Sequence, residues 1–168
     1  MKYEFVSGLA DELHKLAQIP VEVEMRISRG AVREAAKVMR GAAMSFAPIG
    51  KGTSKWRPAP FHLRETIRVS TGVRGKIIKA AVRVGNRKKG VFYAGMVMIG
   101  TPAHIIKAPA RGALGFGGIV RQVVQHPGAK AQPFMEQADQ FARSAALDAA
   151  FNYADVKLAA YFKKLKSK

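Results

Sequence analysis

The stretch Ile78-Lys79-Ala80-Ala81-Val82-Arg83-Val84-Gly85-Asn86-Arg87-Lys88-Lys89-Gly90-Val91-Phe92-Tyr93-Ala94-Gly95-Met96-Val97-Met98-Ile99 decides how the chain is read. Ile78, Ala80, Val82 and Val84 alternate with Lys79, Ala81 and Arg83, a period of two that places the apolar side chains on one face of a strand and a basic stripe on the other. Gly85 to Gly90 then carries turn chemistry, and Val91 to Ile99 is rich in branched and aromatic residues, which predicts a second strand. The expectation is a hairpin with a basic tip at Arg87, Lys88 and Lys89. Upstream, Leu63 to Val69 predicts a strand that ends at Ser70-Thr71-Gly72. Downstream, Gly-rich residues 100–118 run extended and Ile119 to Val124 predicts a further strand, giving a sheet of about four strands over 63–124.

Helices flank this sheet. Phe5, Leu9, Leu13 and Leu16 step by 4, 4 and 3, which predicts one face of a short helix ending before Ile19-Pro20. Val23, Ile27, Ala31, Ala35, Val38 and Ala42 predict a second, amphipathic helix ending near Phe46, so that residues 5–46 are helical. Pro48, Gly50, Gly52, Pro58 and Pro60 break residues 47–61 into a long loop. Pro133 suits the first turn of a last helix over 133–165, whose apolar face is read as Phe134, Ala138, Phe141, Ala145, Phe151, Ala154, Leu158, Phe162 and Leu165 with a possible break at 147–152. The fold class is therefore α+β: one domain over 1–168, with an antiparallel sheet packed against N-terminal and C-terminal helices.

The 168 residues carry 29 Lys and Arg against 11 acids, a net charge of +18. The excess sits in residues 26–133, which hold 21 cations and only Glu34 and Glu65, while residues 1–25 are mildly acidic. Such a field points to a polyanionic or acidic partner, with a solvated face as the bland alternative. No cysteine is present, which excludes disulfide scaffolds and thiolate metal sites and fits assembly in a reducing cytoplasm. No apolar run approaches the roughly 20 residues of a membrane span, and no signal-like stretch opens the chain.

Catalytic chemistry finds no constellation. His62, His104 and His126 lack the short paired spacing of metal motifs, so no metal or other cofactor is expected. Glu34 and Glu65 have basic neighbours and read as ion-pair partners. Gly115-Phe116-Gly117-Gly118 and Gly50-Lys51-Gly52-Thr53 lack phosphate-loop spacing, and Ser54, Ser70 and Ser144 have no nucleophile elbow. The candidate contacts are instead Arg83, Arg87, Lys88 and Lys89 for nucleic acid or an acidic partner, and Lys51, Lys55, Trp56 and Arg57 for an assembly interface. A Trp56 folded back on its own domain is the competing reading.

Two blocks carry a resemblance. The first is Tyr93-Ala94, Val97, Gly100-Thr101 and His104; the second is His126-Pro127-Gly128 followed by Pro133-Phe134. With a helix ending in Ala47-Pro48 ahead of them, this order resembles the tail-completion or neck family of minor tail proteins in long-tailed bacteriophages and prophages, over residues 5 to 145. Two positions depart from its pattern: Met98 stands where the family has an acid, and Pro60 to Arg64 replaces its usual Thr-Gly-x-Leu. The resemblance implies a non-enzymatic virion protein, assembled in the host cytoplasm, that completes the head-proximal end of the tail. It implies a ring of identical copies, sixfold to match a tail tube. The ring's neighbours would be the tail terminator or tube protein, the head connector or stopper, the tape-measure end and genomic DNA in the channel, with no membrane. Tyr93, Gly100, Thr101, His126, Pro127, Gly128, Pro133 and Phe134 are then fold determinants. The alternative is a stand-alone module that grips nucleic acid without reading sequence.

Overall fold

The computed structural model describes residues 19–49, 63–85, 91, 93–109, 112–116 and 118–167. The chain is α+β. Helix α1 spans Val21–Phe46. The Pro20 carbonyl accepts the Val23 and Glu24 amides at 2.9 and 3.0 Å, and Glu22 and Glu24 face the positive end of the helix dipole. At the other end, the Arg64 guanidinium donates to the carbonyls of Ala47 (3.1 Å) and Ser45 (3.3 Å), so a cation satisfies acceptors the helix cannot. The predicted end near Phe46 is the observed one. The predicted helix over residues 5–16 lies outside the described residues, as do 50–61 of the predicted loop.

Strands β1 (Arg68–Arg74) and β2 (Ile77–Arg83) form a hairpin around Gly75-Lys76. The break expected at Ser70-Thr71-Gly72 is displaced: β1 continues through these residues and turns only where Gly75 takes a φ of +58°. The alternation read in β2 holds, with Ile78, Ala80 and Val82 partly buried and Lys79, Ala81 and Arg83 exposed.

The strand expected over Val91 to Ile99 is overturned. Ala94–Ile99 is a short helix, α2, closed by the Gly100 amide on the Met96 carbonyl at 2.8 Å. β-propensity lost to tertiary context here, because the segment is held by a following loop rather than by a strand partner. The hairpin with a tip at Arg87-Lys88-Lys89 therefore loses its second strand.

The remaining strands are β3 (His104–Lys107), β4 (Leu114–Phe116), β5 (Ile119–Arg121) and β6 (Val123–His126). β3 pairs with β6 from His104↔His126 to Lys107↔Val123, and β4 with β5 from Leu114↔Arg121 to Phe116↔Ile119, both antiparallel. They make one long hairpin, and between β3 and β4 the Gly112 amide closes on the Pro109 carbonyl at 2.8 Å. The strand expected over Ile119 to Val124 is thus two strands joined at Gln122. Among the described residues the strands form three two-stranded pairs rather than one sheet of about four.

Helix α3 spans Phe134–Lys166 without a break at 147–152. Pro133 opens it, its carbonyl accepting the Glu136 and Gln137 amides at 3.1 Å. Its buried residues are Phe134, Ala138, Ala142 and Ala146, an unbroken i, i+4 row. Phe141 and Ala145, expected inward, are both exposed, Phe141 by 75%. The row steps by four on a helix of 3.6 residues per turn and so drifts around it, which leaves Phe141 facing out.

The chain divides into two compact units, each drawing on α1 and α3. In the unit holding residues up to 39, 69–82 and 143 onward, α1 and α3 run antiparallel: Gly30 lies against the Tyr153 ring, while Val23 shares a cleft with Tyr161 and Lys164. In the unit holding 40–68 and 83–142, Ala43, Ala47, Leu63, Ile67, Val91, Ala94, Phe134, Ala138 and Ala142 are buried. Polar groups lock the latter. The Thr66 hydroxyl donates to Leu63 O (2.8 Å) and accepts the Gly85 amide (3.1 Å), and Arg40 and Arg68 donate to Ile67 O and Gly85 O, each at 2.8 Å.

Candidate functional site

The two motif blocks meet. Thr101 and Ala129 form an antiparallel bridge, Gly100 and Gly128 precede them with φ of +80° and +86°, and the Gln132 amide donates to Val97 O at 2.9 Å. A side chain at Gly100 would collide with Ala129 O at 2.7 Å, and one at Gly128 with the Thr101 carbonyl. Both positions need glycine for conformation and for clearance. Three positions away in the same register, His104 and His126 face each other across β3 and β6, their rings stacked at 4.9 Å. His126 Nδ1 accepts the Gly128 amide at 3.0 Å, which tightens the turn at Pro127-Gly128, and the His104 Nδ1 faces Pro102 O at 2.9 Å. Phe134, 1% exposed, is buried at the start of α3. Tyr93 sits at the N-terminus of α2, half-buried. Gly100, Thr101, His126, Gly128, Pro133 and Phe134 are thus joined in one unit by backbone pairing, turn geometry and packing.

Of the predicted contact residues, Arg83 ends β2 with its side chain exposed. Arg87, Lys88 and Lys89, and the assembly set Lys51, Lys55, Trp56 and Arg57, lie outside the described residues. The hairpin that the structure does describe presents Arg74, Lys76 and Lys79, all exposed, and its sequence from 68 to 83 contains no acid. Reading the turn at Gly72 hid Arg74 and Lys76. The signal that finds them is Gly75-Lys76 standing between two alternating runs, the spacing of a two-residue hairpin turn.

Apolar surface is the other feature composition could not place. Met96 and Ile99 on α2, Ile105 on β3, Ile119 and Val120 on β5, and Val123 on β6 are all at least half exposed, Ile99 by 81% and Val120 by 70%. They fall within one unit and give it a side-chain surface that a free monomer would leave wet. Among the described residues no three His, Cys, Asp or Glu side chains gather at one point.

No family model, curated protein or solved structure matches the chain.

Proposed function

We propose that the protein is a structural virion component that completes the head-proximal end of a long phage tail and joins it to the head connector as a ring, with no catalytic chemistry of its own. The observation that carries this reading is the pairing of the two resemblance blocks, distant in sequence, through Thr101 and Ala129 and through His104 and His126. The exposed apolar residues of α2 and the long hairpin supply self-association surface, and a sixfold ring would concentrate a charge of about +100 around its axis, for DNA or acidic neighbours to neutralise. In this reading Trp56 with Lys51, Lys55 and Arg57 anchors the neighbouring ring, and Arg83, Arg87, Lys88 and Lys89 face DNA or an acidic partner.

Negative-stain imaging of tails assembled with and without the protein tests it. Tails that lack the protein should accumulate without heads and lack a terminal ring; normal head-joined tails would end the proposal. One observation favours a second reading, a free nucleic-acid-binding module: the acid-free cations of the β1–β2 hairpin are placed to meet phosphates. A protein that stays monomeric beside tails and never co-sediments with them leaves that reading standing.

A further inference from the structure

The stacked rings of His104 and His126 are held at their Nδ1 atoms in opposite senses. A carbonyl only accepts, so the 2.9 Å contact between His104 Nδ1 and Pro102 O requires a proton on that nitrogen. A backbone amide only donates, so His126 Nδ1, which takes the Gly128 N–H at 3.0 Å, carries none. His104 can therefore gain a second proton at Nε2 and keep its bond. His126 cannot, because a ring protonated on both nitrogens has no acceptor left for Gly128.

The surrounding charge sharpens this difference. Residues 94–106 and 123–129 hold no charged side chain, and the two histidines are their only titratable groups. From β3 the group that faces His126 is the His104 ring, 4.9 Å away between centroids. The next cations along the chain are Lys107, at the far end of β3, and Lys130, just past the turn. The carboxylates of this unit are Glu65, Glu136 and Asp139, and among the described residues none of them forms an ion pair with either histidine. A positive charge on His126 would thus sit against a second imidazole, in a stretch from 66 to 135 that contains no acid.

We propose that His126 is a proton-sensitive latch on the joint between α2 and α3. When its ring gains a proton, the Gly128 bond is lost, the turn at Pro127-Gly128 loosens, and the Thr101–Ala129 pair opens with it. The opening is local. At the other end of the same ribbon the Ala108 amide is bonded to Gln122 O at 2.8 Å with no histidine beside it, and that end stays closed. The latch is a property of the single chain and does not depend on the tail reading.

Amide hydrogen exchange followed by NMR on the full chain tests this at about pH 7.5 and about pH 5, which span the range where histidine side chains take up a proton. Corrected for intrinsic rates, protection of the Thr101, Gly128 and Ala129 amides should fall about tenfold or more at the lower pH while that of Ala108 holds. His126→Asn offers an oxygen that accepts the amide two residues on at either pH, so in this variant the three amides should keep their protection. In the parent the Gly128 amide resonance should also move in step with the His126 ring as pH falls, a measurement that decides the matter if far-UV circular dichroism shows that His126→Asn disturbs folding. Unchanged protection in the parent, a Gly128 resonance that ignores the ring, an acid response that survives His126→Asn, or an equal loss at Ala108 each overturns the proposal.

Discussion

Thr101 and Ala129 exchange both of their backbone hydrogen bonds, each at 2.9 Å, across 28 positions of sequence. That reciprocal pair brings the end of α2 to the entry of α3, and it exists because the residue before each partner is a glycine in the left-handed half of φ space. The segments 93–104 and 126–134 are therefore the two halves of one backbone joint. Their residue types follow from clearance and turn geometry.

Gly128→Ala tests the joint. The added Cβ meets the Thr101 carbonyl and approaches the Pro102 carbonyl carbon at 2.9 Å, at a φ that side chains rarely adopt. The loss should be about 1–3 kcal/mol or more, seen as a clear fall in thermal midpoint. Gly115→Ala, where a Cβ meets nothing within 4 Å, is the matched control. Equal melting of the two variants would show that the joint is not tight.

Phe134 and Phe141 lie two turns apart on α3, and the structure separates them completely: one is 1% exposed, the other 75%. Phe134→Ala should cost about 3–5 kcal/mol, with loss of soluble protein if stability is marginal. The Phe141 ring packs edge-to-face on Phe46 at 5.6 Å but stays largely in water, so Phe141→Ala should cost under about 1.5 kcal/mol. Chemical denaturation of both variants gives the comparison.

The long elements were legible because their periods persist. Six apolar residues at steps of three and four fix α1, and Ala47-Pro48 ends it. Pro133 marks the start of α3, and four alternating positions mark β2. Short elements carry no period. Ala94 to Ile99 makes fewer than two turns, so its Val, Met and Ile residues read as strand although the Gly100 turn and the Val97 to Gln132 hydrogen bond hold it helical. Gly72 looked like a turn and is an ordinary strand residue; Gly75, three positions on, is the turn. On α3 a period near 3.6 places Phe141 and Ala145 on the face of Phe134 and Ala138, whereas the core takes Ala142 and Ala146. A row stepping by four drifts around a helix of 3.6 residues per turn, so it leaves Phe141 behind. For the candidate contacts, charge located the basic middle of the chain, but which cations share a surface depends on turns that composition does not encode.

Gly30 is where α1 meets Tyr153. Alanine at this helix-interior position would add about 1 kcal/mol of helix propensity, yet its Cβ would overlap the Tyr153 ring. Gly30→Ala should therefore destabilise the protein. In a Tyr153→Ala background the same change should stabilise it by up to about 1 kcal/mol. A double-mutant cycle measured by urea unfolding should give a coupling of about 1–3 kcal/mol; additive effects would deny the contact.

The β1–β2 hairpin should contribute a countable share of any DNA affinity. Replacing Arg74, Lys76 and Lys79 by Ser removes three exposed cations and should change stability by under about 0.5 kcal/mol. If all three meet phosphates, the slope of log K against log salt falls by about 2.7 for duplex DNA. An unchanged slope in a fluorescence titration would remove the hairpin from the interface and shift attention to Arg83 and the cations at 87–89.

Val120 is the sharpest test of assembly. It projects from β5 with 70% of its surface in water, beside Ile119, on strands whose described pairing is only with each other. A two-stranded ribbon with apolar side chains left wet gains stability when a neighbouring copy covers it. Val120→Glu keeps the side chain in solvent in the monomer, so far-UV circular dichroism and thermal midpoint should match the parent. In a ring the same carboxylate would be buried without a partner, at a cost large enough to block association. Light scattering should then show the parent assembling on tails while the variant stays free, and tails made with the variant should fail to join heads. If the variant assembles and joins heads as well as the parent, the hairpin lies outside the subunit interface and the apolar surface on α2, Met96 and Ile99, becomes the place to look.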